Sequence, residues 1–211
     1  MVEIMKIQIW RTVLTVLLLT VQQQGLAAVI VDTGVSTQSG GLVLSVNQWT
    51  AGYFRIDNTY RIDNISTNYW GNGEEITFAL YADQSGLPGT EIASYVIPTV
   101  VSDTTTINTL SFPISGPVLS TGNYWASFEV RNGQTFSGGL QGGSELAFPN
   151  PLEKDAFWLA VNGFWRSVTS HQGRISLTIE ATAVPLPSTV LLFGSGILLL
   201  ATARKDYPVC A

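Results

Sequence analysis

Few residues in this chain are equipped for chemistry. His171 is the single histidine, which excludes a histidine-rich metal cluster and would make it an obligatory member of any Ser-His-Asp set. No Gly-x-Ser-x-Gly elbow accompanies it, and Ser170-His171-Gln172-Gly173 reads as a turn between strands. Carboxylates adjoin at Glu74-Glu75, and Glu153 and Asp155 flank Lys154. Two-carboxylate glycosidase chemistry needs such groups held about 5 to 10 Å apart across a cleft, and solvated loop charge is the simpler account of both pairs. Asp83 stands near Gly86, but no Asp-rich loop supplies the roughly six to eight oxygens that calcium takes. The sequence therefore predicts no catalytic residue, no metal site and no cofactor.

Aromatic residues are more informative. If Asn162-Gly163 closes a two-residue hairpin, Val161 pairs with Phe164, Ala160 with Trp165, Leu159 with Arg166 and Trp158 with Ser167. Trp158 and Trp165 then share a face as diagonal neighbours. Phe157, Leu159, Val161, Phe164 and Val168 take the other side, which is the more apolar and the better candidate for the core. Two readings of the tryptophans stay open: packing beneath a loop or strand, or an outward platform for sugar rings. Trp70 and Trp125 carry the same ambiguity.

The elements that must position these side chains read as strands. Asn-Gly pairs at 72–73, 132–133 and 162–163 suit hairpin turns. Between the turns, apolar residues alternate with period two: Ile76, Phe78, Leu80; then Tyr124, Ala126, Phe128, Val130; then Ile175, Leu177, Ile179. Further candidates are Leu42 to Val46, Gly52 to Asp57, Tyr60 to Ser66, Ile92 to Ile97 and Thr106 to Phe112. Ser137 to Ser144 is glycine-rich and reads as a mobile loop, and Asp83 to Gly89 as a tight connection. Roughly ten short strands without alternating helices predict an all-β, antiparallel β-sandwich of jelly-roll-like type.

Both ends differ from this body. Lys6 and Arg11 precede an apolar run from Thr12 to Val21, and Gly25-Leu26-Ala27-Ala28 offers small residues to a signal peptidase. Cleavage is expected after Ala27 or Ala28. At the other end, Ser188 to Ala203 carries no charge and, as a helix, rises roughly 24 Å, a little under the hydrocarbon thickness of a bilayer. Arg204 and Lys205 follow at once. Basic residues favour the cytoplasmic side, so the part between the two ends is expected to be exported. This divides the chain into a signal peptide (1–28), an exported domain (29–183), a tail with a transmembrane helix (184–206) and a cytoplasmic remnant (207–211). The formal net charge of -5 repels phosphate backbones and argues against nucleic acid as a partner. Cys210 is the only cysteine, so no intrachain disulfide forms.

With Val184-Pro185-Leu186-Pro187, then an apolar run containing Phe193-Gly194-Ser195-Gly196, then Arg204-Lys205, this tail resembles the PEP-CTERM sorting signals of exported Gram-negative bacterial proteins, in a Val-Pro-Leu-Pro variant. The resemblance implies recognition at Pro185, Leu186 and Pro187 by exosortase, an integral-membrane protease of transpeptidase type. It implies close helix approach at Gly194 and Gly196, a basic stop at Arg204 and Lys205, and a membrane-held state before processing. Delivery to the cell envelope, outer surface or extracellular matrix would follow, as a non-enzymatic protein. The alternative expectation is a carbohydrate-binding module that uses Trp158 and Trp165 on extracellular polysaccharide. The tail departs from the family by continuing to Ala211 and by having only two basic residues in its cluster.

Overall fold

The structure is a computed structural model describing residues 27–34, 41–100, 106–143, 154–159, 163–168 and 175–184, with 154–159 and Val168 described by backbone alone. Its strands all lie in the compact unit Leu26–Ala183. Residues 1–26 of the expected signal peptide lie outside the described residues, as do His171, Pro185, Leu186, Pro187, Gly194, Gly196, Arg204, Lys205 and Cys210. Among the described residues no helix is long and apolar enough to cross a membrane.

Every regular element described is a β-strand, numbered in chain order, and every strand pair is antiparallel. One sheet runs β1 (Ala27–Asp32), β13 (Thr178–Ala183), β4 (Tyr60–Asn72), β10 (Ser137–Gln141) and β2 (Gly41–Leu44), with β7 (Asn108–Pro113) and β8 (Val118–Leu119) also paired to β4. The other runs β12 (Phe164–Val168), β11 (Lys154–Leu159), β3 (Gln48–Ile56), β9 (Gly122–Glu129), β5 (Glu75–Gln84) and β6 (Leu87–Pro98). Alternation explains how they pack. Leu44, Ile62, Ile65, Leu140 and Ile179 of the first sheet meet Phe54, Phe78, Leu80 and Phe128 of the second in one buried cluster. At about 25 cal/mol per Å² of apolar surface, this shared layer is the main favourable term.

The Asp83 to Gly89 connection is a β5–β6 hairpin, with Gln84 opposite Leu87 and positive φ at Ser85 (56°) and Gly86 (83°), as a two-residue type I′ turn requires. Of the three Asn-Gly pairs, however, only 162–163 joins hairpin partners, β11 and β12. Asn72-Gly73 links β4 to β5, and Asn132-Gly133 links β9 to β10, each crossing from one sheet to the other. Positive φ serves a sharp change of direction whether the chain returns beside itself or moves to the facing layer.

Ser137 to Ser144 was expected to be a mobile loop, but Ser137–Gln141 forms β10, inserted between β2 and β4. Its glycines are there for clearance. A Cβ on Gly138 would lie 2.1 Å from the Trp70 carbonyl oxygen. One on Gly139 would lie 2.6 Å from the Trp70 ring, its cross-strand partner. Trp70 thus packs over the bare backbone of β10.

Two outcomes follow from this layer. Gly138→Val should cost about 2 to 3 kcal/mol or prevent folding, because backbone of β4 would have to move; thermal unfolding checks it. Thr50 Oγ1 is buried without a hydrogen-bond partner among the described residues, on the face of β3 that also carries Phe54. Thr50→Val removes that orphan at nearly constant shape and should raise stability by about 1 kcal/mol, read as a higher urea midpoint.

Candidate functional site

Strand β9 is buried on both faces. Ala126 and Phe128 point into the shared core, while Trp125, Ser127 and Glu129 point away from the first sheet, yet each is 0% exposed. What buries them is curvature. Edge strands β6 and β12 bring Cα atoms within 8 Å of each other, whereas five flat inter-strand steps would separate them by about 24 Å. Register shifts in the β5–β6 pair, on either side of Tyr81, mark bulges that increase local twist and bend the hairpin. The outer face of the six-stranded sheet is therefore concave.

A second apolar cluster fills this concavity, made of Ala51, Tyr53, Ala79, Tyr81 and Trp125, with Leu87 and Trp165 packed against it. Trp165 on β12 lies 6.0 Å from the Tyr81 ring on β5, edge to face at 70°, and 6.3 Å from the Trp49 ring at 56°. Tyr53 meets Trp125 at 5.3 Å. Two indole N–H groups find acceptors: Trp49 Nε1 donates to the Val130 carbonyl at 2.9 Å, and Trp125 Nε1 to Asp83 Oδ1 at 2.8 Å. Asp83 also accepts from the Gly86 amide, so it ties the β5–β6 turn to the cluster floor.

Beside the aromatics sits a charged network. Glu129 Oε1 accepts from the Tyr81 hydroxyl at 2.7 Å and from Ser127 Oγ, and its Oε2 accepts from Arg131 Nε at 2.7 Å. Arg131 donates onward to Glu91 Oε2 at 2.6 Å, to the Tyr81 oxygen at 3.2 Å and to Ser94 Oγ. The side chains of Arg131 and Glu91 are 31% and 37% exposed against 0% for Glu129, so the network runs from solvent to a sealed carboxylate. Gln134 closes the turn after β9, accepting from the Arg131 amide at 2.7 Å and donating to Thr77.

Proton affinities follow from these contacts. Burial, and then the neighbouring Glu129 charge, push the Tyr81 phenol well above its ordinary range. Burial raises Glu91, but hydrogen bonds from Arg131 and Ser94 outweigh it and hold the carboxyl below 4.5. Burial opposes the Arg131 charge and the bonds to Glu91 and Glu129 override that, fixing the guanidinium as a cation.

The hairpin register places Trp158 directly opposite Trp165, and Trp158 also opposite Trp49 on β3. Relative to the expected diagonal pairing the register is displaced by two residues, because Leu159 pairs with Phe164. A shift of two leaves the faces unchanged. Phe164, expected on the core side, is 52% exposed and lies under the Arg166 guanidinium at 5.1 Å. It sits on β12, the edge strand of this sheet among the described residues. Trp125 is fully buried. Ala27 and Ala28, the expected cleavage residues, stand on edge strand β1 opposite Thr182 and Ala181. Among the described residues no group of histidine, cysteine or acidic side chains could hold a metal ion.

Tyr81, Glu91, Glu129 and Arg131 did not emerge from the sequence. One signal was present: Glu129 is a lone acid within Trp125-Ala126-Ser127-Phe128-Glu129-Val130, a run otherwise apolar or small. A charge there needs a partner, and Arg131 is two residues on. No family model matches this chain, and neither a curated protein nor a solved structure matches it.

Arg131→Met strands the sealed Glu129 carboxylate and should cost about 3 to 5 kcal/mol, with the double variant Glu129→Gln/Arg131→Met recovering part of the loss in urea unfolding. The pH dependence has two limbs. Folding lowers the proton affinity of Glu91, so its contribution is complete above pH 4.5 and fades as pH falls lower. Folding raises that of Tyr81, so its contribution is complete below pH 10 and fades as pH rises further. Urea midpoints measured from pH 3 to pH 11 should lose the acid limb in part in Glu91→Gln and the alkaline limb in part in Tyr81→Phe.

Proposed function

We propose that this chain is an exported, non-enzymatic protein of the cell envelope, outer surface or extracellular matrix, with a C-terminal PEP-CTERM-like signal for exosortase-type processing. The observation that carries the reading is the order of parts: a basic and apolar leader, a β-rich body, and a Pro-Leu-Pro, apolar and basic tail. The body is compatible with it, because among the described residues the shared core runs from Ile30 to Ala181. Cutting after Ala27 or Ala28, and again near Pro185, removes none of these described core residues. Strands β1 and β13 are neighbours, with Ala27 opposite Thr182, so both processing points adjoin one end of one strand pair. We assign the body to the jelly-roll-like β-sandwiches, since consecutive strands cross between sheets from β2 to β3, β4 to β5 and β9 to β10.

Signal peptidase and an exosortase-type membrane protease are the partners this reading requires, with the membrane as a transient one. A second reading, a module that binds extracellular polysaccharide, is favoured by the aromatic concavity around Trp165 and is developed below. Mass spectrometry of the protein recovered outside the producing cell is the test. The recovered chain should begin at Ala28 or Val29 and lack the peptide from Leu191 to Lys205; finding that peptide intact outside the cell would overturn the proposal. Pro185→Ala/Pro187→Ala should leave the protein in the membrane fraction.

A further inference from the structure

We infer that the mouth of this concavity, formed by Trp49, Trp165, Tyr81, Glu91, Arg131 and Ser94, is a binding site for a soluble chain of neutral hexoses. A pyranose ring presents weakly positive C–H faces and a rim of hydroxyls that both donate and accept. It is met by the electron-rich face of an aromatic ring with fixed polar groups beside it. Here the aromatic wall and the polar groups are joined through one residue, for Tyr81 packs its ring on Trp165 and bonds its hydroxyl to both Glu129 and Arg131. Trp165 and Trp49 are both half-buried, and Glu91 and Arg131 are open to solvent at the same face.

The sealed end of the network positions its outer end. A buried ion pair contributes little net stability, because desolvation offsets the attraction. What Glu129 does provide is orientation: it holds the Arg131 Nε at 2.7 Å and so fixes the outer edge of the guanidinium before any ligand arrives. Preorganised donors spare a ligand the cost of ordering a long side chain. Glu91 is positioned from the Arg131 outer edge at 2.6 Å and adds an acceptor.

Charge and shape narrow the ligand. Between Val29 and Ala183 there are thirteen acidic and six basic residues, and the Arg131 charge is already met by two carboxylates. An anionic polymer would find repulsion rather than an unspent cation. The Trp49 and Trp165 rings pack on one another at an inclination of 56°, so they do not offer the single plane that a flat crystalline surface needs. A single soluble chain fits this geometry. The site rests on the export reading only for where such a polymer is met.

The test is affinity electrophoresis of the full chain in detergent, through gels holding laminarin, hydroxyethyl cellulose or alginate. Retardation is expected in at least one of the two neutral polymers and not in alginate. Trp165→Ala should weaken it at least roughly tenfold and Glu91→Gln by about fivefold, while Val118→Ser, on the other sheet, leaves it unchanged. Glu91→Gln is a half-exposed change that spares the core, so its result stands even if Trp165→Ala fails to fold. The site is overturned by passage unretarded through both neutral gels, by tighter binding to alginate, or by retardation that Glu91→Gln and a folded Trp165→Ala leave intact. Because processing is scored separately by mass, a correctly trimmed protein that ignores both neutral polymers sinks the ligand site alone.

Discussion

A carboxylate without solvent access organises half of this molecule. Stripping Glu129 of water costs several kcal/mol unless its oxygens are met by donors and its charge by a cation. Those donors come from three places: Ser127 on the same strand, Tyr81 on β5, and Arg131 just beyond β9. Arg131 in turn reaches Glu91 on β6. The network can close only if the β5–β6 hairpin bends toward β9's outer face, and the two bulges beside Tyr81 supply that bend. Curvature, aromatic packing and charge pairing are therefore one structural solution.

The two sheets solve the same problem differently on their outer faces. On the first, Asn64, Ser66, Asn68, Thr109 and Ser111 bond to one another across β4 and β7, a small-residue polar layer that water can cover. On the second, tryptophan and tyrosine occupy the equivalent positions and the sheet rolls up around them. The polar sheet and the curled aromatic sheet share one core, and the curled one brings its edge strands β6 and β12 near each other at its outer face.

Legibility followed the range of the interaction. Alternation exposed β5, β9 and the Ile175 to Ile179 segment because a strand with one face in the core writes its period into neighbouring residues. β10 was hidden, since Gly138 and Gly139 are chosen for their lack of a side chain beneath Trp70, and a glycine run looks alike in a loop and in a crowded ladder. The Asn-Gly pairs specified sharp turns and nothing about destination. Trp158 and Trp165 were placed on one face despite a misjudged register, because an error of two residues preserves parity.

By itself, the amino-acid sequence determined the all-β antiparallel class, the sites of the turns, and which residues share a face along each strand, for these depend on φ preferences and a period of two. The expectation of export also comes from the sequence, through charge and apolar length at the two ends. Tertiary structure alone decided that Asn72-Gly73 and Asn132-Gly133 cross between sheets, that β9 is buried twice over, and that Tyr81, Glu91, Glu129 and Arg131 meet beside Trp165. Those residues are separated by up to 84 positions in the chain. Bringing them together depends on sheet order and curvature, which arise from the summed packing of many strands and leave no local trace in any one of them.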